Sequence, residues 1–133
     1  MATTIFKYRQ EMRERATIKR PVADVWLKTN NGWIEFHPYI DSGADVTLIP
    51  LSLGKLLGWE IKNEVSSTLS GVSGNLPIVY RKCPMKIGGK TITILIAWAL
   101  KEDVPALLGR SDVFDNFVIT FKQKEGVVLF GDI

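Results

Sequence analysis

Apolar runs in this chain are short, and each is closed by a turn signal. Asn30-Asn31-Gly32, Ser70-Gly71-Val72-Ser73-Gly74-Asn75, Lys86-Ile87-Gly88-Gly89-Lys90 and Lys122 to Gly126 interrupt the sequence at intervals too small for long helices. Between them lie segments rich in Val, Ile, Trp and Phe, the residues that suit a pleated, half-buried surface. The Asn-Gly step at 31–32 is the strongest of these hairpin signals, because both residues tolerate positive φ. The pattern predicts an all-β fold, a small barrel or sandwich with one or two short helices.

The individual elements follow from the same punctuation. Val22, Val25, Trp26 and Leu27 read as a strand that returns through Trp33 to Ile40, with Ile34, Phe36, Pro38 and Ile40 on one face. Pro38 has no N–H to give to a ladder, so this return strand is irregular or lies at an edge there. Val46 to Pro50 is a further short strand. Ser52 is placed to cap a short helix over Leu53 to Leu57, with Gly58 as its stop. Residues 61–70 and 76–83 form the arms of a hairpin, Thr91 to Leu100 is an apolar strand, and Arg110 to Asp115 fits one or two helical turns. Phe117 to Phe121 and Val127 to Phe130 make a last hairpin. Residues 7–20 are polar nearly all round and fit a frayed helix or an extended arm.

Length and charge narrow the classes of function. At 133 residues the chain makes one ordinary domain. Lys7, Arg9, Arg13, Arg15, Lys19 and Arg20 stand against Glu11 and Glu14, so residues 1–20 carry +4 of a total of +3 and the rest is nearly neutral. A short arm with interleaved signs reads as a solvated segment more readily than as a nucleic-acid surface. One cysteine, Cys83, and one histidine, His37, leave no disulfide and no Cys/His metal cage, so neither metal nor cofactor is expected. The N-terminus has no apolar h-region, which points to a cytoplasmic protein. The apolar stretch from Ile92 to Leu100 is far shorter than the ~20 residues a membrane helix needs.

Most apparent motifs dissolve on inspection. Gly89-Lys90-Thr91 would need a glycine where Pro84 stands to be a phosphate loop. Gly71-Val72-Ser73-Gly74 is one residue short of a nucleophile elbow. A serine or cysteine triad would have to use His37, and a lone strand histidine is usually structural. Asp41-Ser42-Gly43-Ala44-Asp45 is different: small residues and a carboxylate between two apolar strands are poor packing material. They turn the backbone sharply and leave an acid accessible for proton transfer.

Asp41-Ser42-Gly43-Ala44-Asp45-Val46-Thr47-Leu48-Ile49-Pro50 resembles the active-site segment of the retropepsin-like aspartic proteases, whose signature is Asp-Thr/Ser-Gly-Ala. Ala106-Leu107-Leu108-Gly109-Arg110-Ser111-Asp112 resembles that family's second segment. Gly71 to Gly74 falls where the family keeps a glycine-rich flap, and Arg20-Pro21 is similar to the Arg-Pro near the start of retroviral members. The long C-terminal hairpin, 117–130, is closer to cellular and prokaryotic members. The resemblance covers residues 20–131 and sets a basic arm, 1–19, apart from a protease domain, 20–133.

The resemblance implies a small closed β-barrel of the single-lobe acid-protease type, and roles for individual residues. Asp41 would be the catalytic acid, Ser42 the hydroxyl that bonds across a dimer, and Gly43 a close approach of backbone to substrate. Ala44, Asp45, Leu107 and the flap residues Gly71, Val72, Ser73 and Gly74 would meet the substrate. Gly109 and Arg110 would support the loop, with Arg110 paired to Asp45. No other aspartate is followed by Ser/Thr-Gly: Asp24, Asp45, Asp103 and Asp112 precede valine, Asp115 asparagine and Asp132 isoleucine. Two carboxylates are needed, so the resemblance implies a homodimer acting on a peptide or protein. The alternatives are a non-catalytic dimeric module on the same fold that binds a peptide or protein without cutting it, and a basic-arm nucleic-acid binder.

Overall fold

The computed structural model describes residues 3–62, 67–71 and 74–133. It is 59% strand and 5% helix, all-β as the turn spacing requires, with its large sheet curled into a half-barrel. The strands are β1 (Thr3–Lys7), β2 (Arg9–Arg13), β3 (Ala16–Arg20), β4 (Val25–Thr29), β5 (Gly32–Phe36), β6 (Tyr39–Ile40) and β7 (Thr47–Ile49). After helix α1 (Leu51–Leu56) come β8 (Ser67–Gly71), β9 (Gly74–Ile87), β10 (Lys90–Ala99), β11 (Leu107–Leu108), β12 (Phe117–Lys122) and β13 (Val127–Asp132).

The large sheet runs in the order β5-β4-β9-β10-β7-β11-β6, with β8 paired to the start of β9. Its turns are the ones the sequence marks. Thr29 pairs with Gly32 across Asn30-Asn31, and Ile87 pairs with Lys90 across a turn in which Gly88 has φ +58°. β8 and β9 pair from Ser67↔Ile78 to Gly71↔Gly74, which is the hairpin expected there; Val72 and Ser73 at its tip lie outside the described residues. β1, β13 and β12 form a second, three-stranded sheet, and β2 and β3 a separate hairpin. Residues 9–20 are therefore extended, not helical, and β1 is tied to β13 over five residue pairs.

Alternation divides the buried side chains into two groups. Val25, Leu27, Ile49, Met85, Ile94, Ile96, Trp98 and Leu108 belong to the main core, which continues through Phe6, Phe117, Val128 and Phe130 of the second sheet. Phe130 takes Phe6 and Phe117 edge-on, with centroids 5.3 and 5.5 Å away, the arrangement aromatic quadrupoles prefer. On the opposite face Leu48, Ile78, Ala97 and Ala99 form a smaller cluster with Val46, Leu69, Leu76, Val104 and Leu107 around it.

Two local expectations are corrected. The helix covers Leu51–Leu56 with Pro50 at its N-cap position, and Ser52 does not cap it. The Ser52 hydroxyl donates to Glu102 Oε1 at 2.6 Å instead. Proline suits a helix start because its fixed φ costs nothing there. Residues 111–116 form turns and no helix. Asp112 sits at φ +68°, which a right-handed helix excludes, and its carboxylate accepts the Leu95 N–H at 2.8 Å. A backbone donor from β10 has thus taken a carboxylate that a helix over these residues would leave for its own first turn.

Candidate active site

Asp41 follows β6 directly, where the chain leaves the sheet. Its own N–H donates to Leu108 O at 3.0 Å, so the end of the strand stays in register with β11. One carboxylate oxygen, Oδ1, accepts the Gly43 N–H at 2.9 Å, and the Ala44 N–H reaches Asp41 O at 3.2 Å. A Cβ on Gly43 would come within 3.2 Å of that Asp41 oxygen. The loop therefore wraps tightly around the acid. Asp41 is half-buried, while Ser42, Gly43 and Asp45 are exposed and Ala44 is partly covered.

The segment after β11 braces this loop from behind. The Arg110 N–H donates to Ala44 O and the Ser111 N–H to Asp45 O, each at 2.9 Å. The Arg110 guanidinium adds Nη1 to Ser42 O at 2.7 Å and Nη2 to Asp45 Oδ1 at 2.5 Å. A fork of fixed donors can hold a carbonyl and a carboxylate together, which a single ammonium does less well. Gly109 is required by space: a Cβ there would lie 2.3 Å from both the carbonyl carbon and oxygen of Val46. Its N–H donates to Thr47 Oγ1 at 3.1 Å, and Thr47 is fully buried. Sequence reading passed over Thr47. The available signal was a β-branched hydroxyl at an otherwise apolar strand position.

The face on which the residues expected to meet substrate are grouped follows from the register. Tyr39 pairs with Leu107, Leu107 with Leu48, and Leu48 with Ala97. Directly paired residues project to the same side of a sheet, so this row lies on the side of the smaller apolar cluster. Asp41 is two residues beyond Tyr39 and continues that side. A cavity of about 480 Å³ opens there, lined by Leu48, Leu69, Gly74, Leu76, Val104 and Leu107 among others, with Lys101 and Asp103 also on its lining. Leu107 and Gly74 thus share one cavity; Gly71 pairs with Gly74 at the hairpin end, and Val72 and Ser73 are outside the described residues.

Tyr39 is a second residue the sequence reading did not place in the site. Its hydroxyl donates to Glu11 Oε1 of β2, and the Arg20 guanidinium lies 5.0 Å from its ring centroid. Hydrogen bonding to the Glu11 carboxylate, and then burial, push the phenol up from its ordinary value of 10.0. The arm of residues 9–20 is therefore packed onto the strand that carries Asp41.

His37 is engaged by two carboxylates. Its Nδ1 lies 2.7 Å from Asp24 Oδ1 and its Nε2 lies 3.2 Å from Glu35 Oε2. Among the described residues no cluster of His, Cys, Asp and Glu is suited to a metal ion, and no helix is long and apolar enough to cross a membrane.

This fold is shared with solved proteases. A retropepsin-like aspartic protease from Rickettsia conorii matches with a TM-score of 0.69 at 14% identity, over 97% of this chain and 98% of its own. The protease of EIAV, complexed with the inhibitor HBY-793, matches with a TM-score of 0.58 at 24% identity, over 73% of this chain and 88% of its own. No family model matches the sequence, and no curated protein matches it. The chain thus has the single-lobe, retropepsin-like fold. Its additional length relative to the retroviral enzyme has counterparts in the Rickettsia protein.

Proposed function

We propose that this chain is an aspartic endopeptidase whose active site forms between two copies. The observation that carries this is the Asp41 loop: one acid on a tightly wound turn, braced by Gly109 and Arg110, directly after a strand paired with the one that supplies Leu107 to an apolar cavity, in a retropepsin-like fold. The chemistry needs two carboxylates about one water, and the sequence holds a single Asp-Ser-Gly. A two-fold axis, the commonest closed symmetry, supplies the second Asp41.

Two carboxylates roughly 3 Å apart cannot both ionise, so the pair shares one proton and titrates in two coupled steps. The ionised Asp41 takes a proton from the water as its oxygen attacks the scissile carbonyl carbon. The protonated Asp41 of the other copy donates to the carbonyl oxygen. As the C–N bond of the resulting tetrahedral diol breaks, the carboxyl that took the water's proton gives it to the amide nitrogen while the other carboxylate takes a proton from a diol hydroxyl, so the pair again holds one shared proton. No covalent intermediate forms. The Ser42 hydroxyl bonds across the paired loops, the Gly43 backbone approaches the substrate, and Ala44 and Asp45 meet the peptide backbone. Leu107 helps wall an apolar pocket, and the β8–β9 hairpin over residues 68–77 serves as the flap that covers the extended peptide and limits water.

The test is Asp41→Asn, which keeps shape and removes proton transfer. Purified wild type is expected to cut members of a peptide library at acidic to neutral pH, and the variant to cut none. Cleavage that survives in Asp41→Asn sinks the assignment. A wild type that binds peptides but never cuts them would instead be a binding module on the same fold.

A further inference from the structure

The β2–β3 hairpin lies against the strand that carries Asp41, and its inner face is defined. Arg9, Glu11 and Arg13 alternate onto one side of β2, and their cross-strand partners are Arg20, Ile18 and Ala16. Two contacts fix how this side lies on the domain. Arg9 Nη2 reaches Asp24 Oδ1 at 3.0 Å, and that same oxygen meets His37. Glu11 accepts the Tyr39 hydroxyl. Along β2 the contacts therefore advance from the level of His37 to that of Tyr39, toward Asp41. Arg13 is the next residue on this side.

The charges along that side are unequally compensated. Arg9 has Asp24, and Arg20 has Glu11, 3.5 Å from its Nε. Among the described residues no carboxylate forms an ion pair with Arg13, which is exposed. Its positive charge nevertheless acts on the Tyr39 phenol, lowering its proton affinity against the larger effect of Glu11. Tyr39 shares its cross-strand row with Leu107 and Leu48 of the apolar cavity.

Building on the endopeptidase reading, we infer that Arg13 forms a cationic subsite at the Tyr39 side of the cleft, which takes an Asp or Glu side chain of the bound peptide a few residues from the scissile bond. The apolar cavity and this cation then select a mixed substrate, an apolar side chain near the cut and an acid beyond it. An exposed arginine attracts a carboxylate through solvent, so the selectivity is salt-sensitive. In a two-fold dimer each end of the cleft carries one such arginine.

The experiment uses peptide pairs identical except for Glu or Gln at one position, with a fluorescent label. Wild type at low salt is expected to favour the Glu member by about tenfold in kcat/KM, with the ratio shrinking as salt rises. Arg13→Gln brings the ratio to about one, and Arg13→Glu turns the preference toward Lys-bearing peptides. Binding of the same pairs to Asp41→Asn protein separates the two ideas. An Arg13-dependent preference there, with no cleavage by wild type, keeps the subsite and removes the protease. Equal treatment of Glu and Gln in both binding and cleavage, or a preference that Arg13→Gln leaves intact, overturns the subsite.

Discussion

Arg110 Nη2 lies 2.5 Å from Asp45 Oδ1, although the two residues stand 65 positions apart in sequence. The same guanidinium holds Ser42 O through Nη1. One side chain therefore bridges the first and last thirds of the loop around Asp41. Both partners are largely exposed, with side-chain exposures of 47% and 84%. A pair so open to solvent contributes little to stability, so its consequence lies in where the loop sits.

Arg110→Lys tests that separation. Lysine keeps the charge and loses the fork. The urea midpoint is expected to move little, while kcat/KM falls about 10- to 100-fold as the acid loses its alignment. Side-by-side denaturation and peptide-cleavage measurements check this. Equal losses in both would place Arg110 among the groups that hold the fold.

Gly109→Ala addresses the brace by sterics. The new methyl would sit 2.3 Å from Val46 backbone atoms, which cannot rotate away as a side-chain end would. Overpacking of this kind typically costs about 1–3 kcal/mol. The urea midpoint is expected to fall with an unchanged slope, and cleavage to be lost even where the variant remains folded. A variant as stable as wild type would show that β7 and β11 can part without cost.

The sequence announces turns and strands more clearly than it announces who meets whom. Asn31-Gly32 and Gly88-Gly89 marked their hairpins because backbone φ is a local matter. Asp41, Gly109 and Arg110 were legible as a pattern, and the distances between them follow from the pairing of β11 with β6 and β7. Tyr39 and Thr47 were not legible. The first gained its place from Glu11, 28 residues away, and the second from Gly109, 62 residues away. The helical turns expected at 110–115 failed for a similar reason: Asp112 answers to Leu95 in another strand. Local propensity is a weak guide wherever a distant backbone group competes for the same side chain.

Cys83 yields a pH prediction. It is buried at 2% exposure, and that burial pushes its thiol up from the ordinary value of 9.0. The folded state therefore keeps a proton that the unfolded chain releases. The resulting contribution to stability is whole below about pH 9 and is lost as pH rises from there through the folded value. Cys83→Ala is expected to flatten part of the alkaline decline in urea-unfolding free energy. The native thiol is also expected to resist a disulfide reagent at pH 8 and to react rapidly in urea. Rapid reaction in the native protein would contradict its burial.

Shared catalysis makes a quantitative statement about mixtures. If each site draws one Asp41 from each of two copies, a hybrid of wild type with Asp41→Asn has one competent carboxylate and is inactive. Equal parts of the two proteins, mixed and allowed to exchange freely, then leave about a quarter of the dimers wild type on both sides. Activity per dimer site falls to that fraction of the pure enzyme at the same total concentration. Independent single-chain sites would leave half instead. Dilution gives a second readout, because specific activity is expected to drop once concentration falls below the dimer dissociation constant. The mixing experiment, read with sedimentation at the same concentrations, separates a divided site from a dimer that merely stabilises two whole ones: only the divided site loses activity in the hybrid.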